Sequence, residues 1–283
     1  MSASPALSFR LLSVPVEVEC PQEESAELLL LCYERAGAVR RPAPSGALRA
    51  RLLPCGSKDR DSFRIEVDGR TPRTVEGQAM GLRTFHHELL HGVMLRRSDL
   101  LYVHAAVVAL EGRAIVLPAR SQSGKSTLAL ALILKGAKLL SDELLAFDRK
   151  DLSCLCYPRA LKIRDVCVPY FPDLAGRFVG QGEARYLPFS ALADDVVSDR
   201  APVALIAVPR WSEAGDPGFS PLPRRSALLE LLSSTLNFGT HREESLDFLS
   251  SIIEHATSCR VIWRDPNEAA TQILNALEDR ASV

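Results

Sequence analysis

The residues most suited to chemistry are five in a row: Ser123, Gly124, Lys125, Ser126 and Thr127. They stand between an apolar run typical of a strand, "AIVLPA", and an apolar run with helical periodicity, "TLALALIL". Backbone N–H groups at a helix N-terminus attract phosphate oxygens, a lysine adds a positive charge, and a serine hydroxyl can bind Mg²⁺. A strand, a tight turn and a helix around Gly-Lys-Ser therefore predict a phosphate-binding loop.

The predicted phosphate loop comprises Ala119, Arg120, Ser121, Gln122, Ser123, Gly124, Lys125, Ser126 and Thr127. Two of its positions usually hold glycine but hold Ala119 and Gln122 here. Alanine can serve at the first position only if the backbone there does not need a positive φ. The retained Gly124 stands beside the lysine, where backbone and phosphate approach most closely. The alternative interpretation is a serine-rich turn that caps a core helix.

An acidic pair, Asp142-Glu143, follows the apolar segment "AKLL". The helix after Lys125 should end at Gly136, and the next strand should return beside the strand that leads into the loop. The pair would then lie at the mouth of the loop, where it could hold Mg²⁺ or accept a proton. The alternative is an ordinary solvated turn.

A histidine, His104, interrupts the apolar segment "LLYVHAAVVAL". A histidine in such a strand can be a satisfied core residue. Because its hairpin leads into the loop strand, it can equally lie near the bound phosphates. The sequence leaves both interpretations open.

A second motif, His87-Glu88-Leu89-Leu90-His91, matches the zinc-protease pattern His-Glu-x-x-His. On a helix the two histidines would share one face, and the glutamate could activate a metal-bound water. The nearest conceivable third ligands are Glu111 and Asp142. Patterns this short arise by chance, so a zinc protease is a remote alternative to a helix packed on a core.

Periodicity predicts an α/β protein with two regions. Residues 1–98 should form a small α+β region, with strands "FRLLSVPVEVEC", "ALRARLL" and "SFRIEVDG" and helices "EESAELLLLCYERAG" and "VEGQAMGLRTFHHELLHGVMLRR". Residues 99–283 should form the nucleotide-binding domain. Beyond the loop we expect a loop-rich stretch from Pro172 to Asp199, strands "APVALIAVP" and "CRVIWR", and helices "SALLELLSSTLNF", "EESLDFLSSIIEHA" and "NEAATQILNALED".

Composition argues against several function classes. The formal net charge is −1, which indicates neither nucleic acid nor an anionic membrane as a partner. No apolar run reaches the ~18 residues needed to span a bilayer, and the N-terminus lacks the pattern of a signal peptide. The seven scattered cysteines are typical of reduced core thiols. We therefore expect a cytoplasmic protein, and the sequence leaves a homo-oligomer open.

The stretch "LLYVHAAVVALEGRAIVLPARSQSGKSTLALALILKGAKLLSDELLAF" resembles the nucleotide-binding core of the HPr kinase/phosphorylase family. It resembles most closely the HPr-kinase-like serine kinases of ribosomally made peptide pathways, such as those for lasso peptides. The shared pattern is a histidine followed by small residues, a hairpin, the loop, a helix ending in glycine, and an acidic pair. The resemblance implies a P-loop core like that of phosphoenolpyruvate carboxykinase, preceded by the small α+β region.

The resemblance also implies an activity and roles. It implies a kinase that uses ATP and Mg²⁺ and transfers the γ-phosphoryl group to a Ser or Thr hydroxyl of a peptide or small protein, most simply a serine. Asp142 would take the proton of the attacking hydroxyl, with His104 assisting and Lys125 binding phosphate. Ser126, Asp142 and Glu143 would serve the metal.

The chain departs from the family pattern at several positions. The family has Gly-Asp-Ser-Gly-x-Gly-Lys-Ser, so Arg120 replaces an aspartate and reverses the charge at that point of the loop. Glu143 stands where the family has a second aspartate. These departures leave an alternative function open: a scaffold or sensor in a peptide-maturation pathway that binds a nucleotide without catalysis.

Overall fold

The computed structural model describes residues 6–56, 61–119, 123–180, 184–192, 198–213, 216–240 and 242–279. The chain divides into two compact units. Unit 1 consists of Met1–Ser98 and Pro158–Leu192, and unit 2 of Asp99–Tyr157 and Ala193–Val283. The sequence predicts a division after residue 98 and assigns 158–192 to the second domain, whereas this segment clusters with the first unit.

The strands in chain order are β1 (Leu7–Leu11), β2 (Val14–Glu19), β3 (Val39–Arg40), β4 (Leu48–Pro54), β5 (Ser62–Val67), β6 (Arg73–Glu76), β7 (Leu101–Val103), β8 (Ala105–Leu110), β9 (Arg113–Pro118), β10 (Lys138–Ser141), β11 (Leu145–Asp148), β12 (Ser153–Leu155), β13 (Leu161–Arg164), β14 (Ala184–Leu187), β15 (Arg200–Trp211), β16 (Gly218–Pro221) and β17 (Thr257–Trp263). The α-helices are α1 (Glu23–Cys32), α2 (Gln78–Arg96), α3 (Lys125–Leu134), α4 (Arg224–Ser234), α5 (Arg242–His255) and α6 (Pro266–Asp279). The chain is therefore a mixed α/β protein, as predicted.

Unit 1 contains a sheet with the strand order β3-β1-β2-β4-β5-β6, in which β2 and β4 are parallel and the other pairs antiparallel. The prediction of one strand over "FRLLSVPVEVEC" is wrong, because the chain reverses between β1 and β2. The turn residues Leu12 and Ser13 have φ values of 47° and 68°. Positive φ at both central residues suits a tight hairpin, but turns of this type usually carry Asn or Gly. A Leu-Ser turn gives no such signal.

Helix α2 packs closely on this sheet, because two glycines face it. A Cβ atom on Gly81 would lie 2.8 Å from Cγ of Phe63, and one on Gly92 would lie 2.7 Å from Cγ1 of Val67. Either substitution would push the helix away from a core that buries Phe85 completely. The predicted long helix is confirmed, except that its first predicted residues belong to β6.

Unit 2 is organised around the long strand β15. Its partners β9 and β17 run parallel to it, while β12 pairs antiparallel with its first residues. The full order is β10-β8-β9-β15-β12-β11-β7, with β17 and β16 attached beside β15. A strand with neighbours on both edges and layers on both faces should be apolar throughout, and Leu205, Ile206 and Ala207 are fully buried.

Helices cover this sheet and position the predicted site. Helices α4 and α5 bury Leu231, Leu249 and Ile252 in one cluster with Val116 and Ile206 of the sheet. Helices α3 and α6 pack against each other, α3 also on β8 and α6 on β17. Among the described residues, no helix combines the length and apolarity that a membrane crossing requires.

Candidate functional site

The connection from β9 to α3 is the predicted phosphate loop, and its last glycine has an unusual backbone. Gly124 lies directly before α3 with φ 90° and ψ 17°, in the left-handed region. A Cβ atom added there would overlap the indole ring of Trp263, the last residue of β17. Glycine is therefore required at this position twice over, by its dihedral angles and by the ring beneath it.

The first position of the loop tolerates alanine for a reason that the backbone shows. Ala119 is not among the residues with positive φ, so its methyl group brings no backbone strain. Its carbonyl oxygen accepts a hydrogen bond of 2.7 Å from Nζ of Lys125. The missing glycine at this position is thus compatible with a loop whose lysine folds back over it.

The remaining loop residues fall into two groups. Arg120, Ser121 and Gln122 lie outside the described residues, so the predictions for them stay predictions. Thr127 is buried, and Ser123 and Ser126 are half-buried at the start of α3. Oγ of Ser123 is buried and makes no hydrogen bond within the described part of the chain.

The acidic pair lies in a tight turn between β10 and β11. Strand β10 runs antiparallel to β8, and β8 runs antiparallel to β9, so the chain returns to the sheet that carries the loop. Oγ of Ser141 accepts a 3.1 Å hydrogen bond from the backbone N–H of Leu144 and so closes the turn across Asp142 and Glu143. Asp142 is only 6% exposed.

Electrostatics link this turn to the lysine of the loop. Burial lowers the pKa of Lys125, because desolvation disfavours the charged ammonium, while the charges of Asp142 and Glu143 act in the opposite direction. The side chain of Lys125, which is 7% exposed, thus interacts electrostatically with two carboxylates. The structure brings together the lysine and the acidic pair that the sequence predicts as neighbours.

His104 occupies the break between β7 and β8 and joins the same group. Its Nδ1 lies 3.1 Å from the backbone oxygen of Glu143. A carbonyl oxygen can only accept, so Nδ1 carries the proton and Nε2 keeps its lone pair in the neutral ring. Burial, and then the charge of Lys125, lower the pKa of His104 below its ordinary value. The carboxylates of Glu143 and Asp142 oppose this shift.

Three contacts of this site were missed from the sequence. The first is the contact between the Trp263 ring and Gly124, and the second is the Ser141 hydroxyl in the acidic turn. The third is a 2.7 Å hydrogen bond from the backbone N–H of His104 to the backbone oxygen of Ser234. Only Ser141 had a local signal, because serine often starts such turns. The other two join residues that are far apart in the chain.

The zinc-protease motif has different surroundings, in unit 1. The carboxylate of Glu88 is 2% exposed and lies 2.8 Å from Nε of Arg70 and 2.7 Å from Nε of Arg73. His87 and His91 lie side by side, with their Nε2 atoms 3.3 Å apart. Within the described residues, no group of three or more His, Cys, Asp or Glu side chains could hold a metal ion. A glutamate paired with two arginines is a weak base for activating a metal-bound water, and this pairing speaks against the zinc-protease alternative.

Comparison with known proteins finds a similar chain among solved structures but not among protein families or curated sequences. No protein-family model matches the chain, and no curated protein matches it. Among solved structures, the HPr(Ser) kinase/phosphatase from Coxiella burnetii aligns with 64% of this chain and 97% of its own, at 14% identity and a TM-score of 0.33. A likeness at this TM-score does not establish a shared fold.

Proposed function

We propose that this chain is a phosphotransferase that uses ATP and Mg²⁺ and phosphorylates a hydroxyl group, most simply a serine of a peptide or small protein. The observation that carries the proposal is the convergence of Lys125, Asp142, Glu143 and His104 where β9 meets α3. Three separate segments of unit 2 supply these side chains, and their charges act on one another. Phosphoryl transfer needs such positioning and charge neutralisation more than covalent chemistry.

The phosphate side of the reaction would use Lys125 and the N-terminus of α3. The left-handed Gly124 leads directly into this helix, so the first amides of α3 are available to phosphate oxygens. Within the loop, the buried hydroxyl of Ser123 has no protein acceptor among the described residues. A polyanion would satisfy both the amides and the ammonium group.

The oxygen ligands present fit Mg²⁺. This ion prefers hard oxygen ligands and is usually held by one or two carboxylates together with substrate phosphates, not by a complete protein cage. Asp142, Glu143 and the hydroxyl of Ser126 supply that kind of set. When bound, the ion would neutralise charge on the transferred phosphoryl group.

The acceptor side would use Asp142 and His104. Asp142 would take the proton of the attacking hydroxyl, and the neutral His104 ring offers Nε2 as a second acceptor. A peptide or small protein as substrate rests on the resemblance of the loop segment to HPr-kinase-like serine kinases, and a cytoplasmic location on composition. Both belong to the proposal.

Calorimetry with ATP and Mg²⁺ tests the site directly. We expect the wild type to bind, and Lys125→Met to bind about 10- to 100-fold more weakly, because a charge-assisted contact contributes about 1.5–3 kcal/mol. Lys138→Met, which changes a half-buried lysine on β10, is the control. Absence of binding in the wild type would contradict the proposal.

A second measurement separates a kinase from a non-catalytic scaffold. Transfer of radiolabelled γ-phosphate from ATP to a pool of serine-containing peptides should depend on Asp142. Asp142→Asn should retain ATP binding and lose the transfer. Nucleotide binding by the wild type without transfer to any peptide or protein tried would favour the scaffold.

A further inference from the structure

Asn237 makes two side-chain hydrogen bonds to the backbone, one to β7 and one to Leu100, the residue directly before β7. Its Oδ1 accepts from the N–H of Tyr102 at 2.9 Å, and its Nδ2 donates to the carbonyl oxygen of Leu100 at 2.9 Å. An asparagine side chain that donates and accepts in this way imitates the backbone of a neighbouring strand. The residue is half-buried, so water competes only partly for these bonds.

The three residues before Asn237 continue the same ladder with their own backbone. The backbone N–H of His104 donates to the backbone oxygen of Ser234 at 2.7 Å. The backbone N–H of Leu236 donates to the backbone oxygen of Tyr102 at 2.8 Å. Between these bonds, Thr235 forms an antiparallel bridge with Val103. The predicted helix over "SALLELLSSTLNF" is therefore too long, because α4 ends at Ser234 and the chain becomes extended beside β7.

The ladder reaches His104 from one side, and the acidic turn reaches it from the other. On the opposite edge of β7, Leu145 of β11 pairs with Val103. Just before β11, the Glu143 oxygen lies 3.1 Å from Nδ1 of His104. The backbone N–H and the ring of His104 are thus bonded to two different segments, and both must keep their register on β7.

We propose that Asn237 is a positioning residue for His104. By fixing the register of the segment Ser234–Asn237 on β7, it keeps the imidazole bonded to the Glu143 carbonyl, with the proton on Nδ1 and the lone pair on Nε2. This role rests on the proposed function, in which His104 assists the acceptor hydroxyl. A one-residue slip of the segment would move the oxygen of Ser234 and release the His104 backbone.

Nitrogen NMR of the imidazole rings tests this without any substrate. The protein contains six histidines, and comparison with His104→Gln assigns the signals of His104. In the wild type, free of nucleotide and metal and at one neutral pH, we expect the pattern of a single tautomer protonated at Nδ1. In Asn237→Ala we expect that pattern to be lost in favour of an average of both tautomers, and exchange of the His104 amide about tenfold faster.

The control is Thr235→Val, in the same segment. This variant loses the hydrogen bond from Oγ1 to the Leu231 oxygen, 2.8 Å long, but leaves the side chain of Asn237 in place. Its His104 signals should match the wild type. If Asn237→Ala does not fold, Asn237→Asp decides, because it keeps the acceptor for Tyr102 and places a second acceptor against the Leu100 oxygen. A folded Asn237 variant with the wild-type tautomer and wild-type exchange of the His104 amide would overturn the proposal.

The outcome is separable from that of the proposed function. If ATP does not bind but the tautomer depends on Asn237, the kinase is refuted and the structural link remains. If ATP binds through Lys125 and the tautomer ignores Asn237, the kinase stands and the positioning role is wrong.

Discussion

Two short motifs in this chain match patterns known from enzymes, and their surroundings differ. On α2, the glutamate of His-Glu-x-x-His is held by Arg70 and Arg73, and its pKa is lowered. Burial alone would raise this pKa, but the bonds and charges of the two arginines outweigh it. At the start of α3, Lys125 instead interacts electrostatically with two carboxylates from the turn between β10 and β11. In the first motif, two arginines of unit 1 neutralise the charge of the glutamate. In the second, the positive lysine lies near two negative carboxylates.

This difference shows that the residues around a motif decide whether the motif can carry out its chemistry. A glutamate that activates water must act as a base, and fixed arginines make Glu88 a weaker one. A phosphate loop needs positive charge and open amides, with carboxylates near enough to bind a metal. The surroundings, which a five-residue pattern does not specify, separate the two cases.

The largest effect is expected for Gly124→Ala. The left-handed φ and the overlap with Trp263 together should cost about 3 kcal/mol of the free energy of unfolding, and ATP binding should be lost with the loop geometry. Urea unfolding and ATP calorimetry measure the two effects. Gly136→Ala is the matched control, because Gly136 has φ 98° but open space around it, so only about 1 kcal/mol is expected. Equal effects of the two variants would show that the Trp263 contact has no importance.

A smaller effect is expected for Glu88→Gln in unit 1. The change leaves two arginines without their carboxylate, but they are 28% and 57% exposed, so solvent screening limits the loss to about 1–2 kcal/mol. Because the folded pKa lies below 4.5, this stabilisation is fully present above pH 4.5 and is lost as the pH falls through the folded value. Urea unfolding of wild type and variant across this range checks both statements.

The control for Glu88→Gln is Glu66→Gln, which removes a half-buried carboxylate that also pairs with two arginines, Arg51 and Arg64. Its effect should be clearly smaller. If Glu88→Gln instead left stability unchanged and abolished a metal-dependent protease activity, the comparison of the two motifs would be reversed.

Ser141→Ala should act mainly on the second motif. It removes the acceptor for the Leu144 N–H, which costs about 1 kcal/mol of stability and loosens the turn that holds Asp142 and Glu143. We expect ATP affinity in the absence of Mg²⁺ to stay the same and the increase on adding Mg²⁺ to shrink. Ser251→Ala, which removes a hydroxyl bonded to its own helix, should change neither quantity. If Mg²⁺ increased the ATP affinity of Ser141→Ala as much as that of the wild type, the turn would have no role in metal binding.

Local signals were enough for much of unit 2. The helix after Lys125 ends as predicted, with Gly136 at φ 98°, and the strands on either side of Asp142 and Glu143 are confirmed. Apolar period and glycine placement determine such features over a few residues, so they can be predicted from a single sequence.

The features that sequence missed depend on distant partners. The segment 158–192 clusters with unit 1, α4 ends early because Asn237 and its neighbours pair with β7, and Trp263 packs under Gly124. None of these has a local pattern, because each is decided by a contact between residues far apart in the chain.

The smallest effect is expected for His91→Gln, the last residue of the zinc-protease pattern. Burial, His87 and the nearby arginines lower the pKa of His91 below 6.5, so the folded state binds fewer protons than the unfolded state as the pH falls below 6.5. The wild type should lose a little stability over that range, and His91→Gln should lose less, while near pH 8 the two should agree within about 0.5 kcal/mol. Urea unfolding of both proteins at pH 8 and below pH 6.5, with and without a chelator, measures these differences in stability. A large loss at pH 8 that the chelator reproduces in the wild type would mean that the histidines hold a metal, and the two motifs would then differ less than their surroundings indicate.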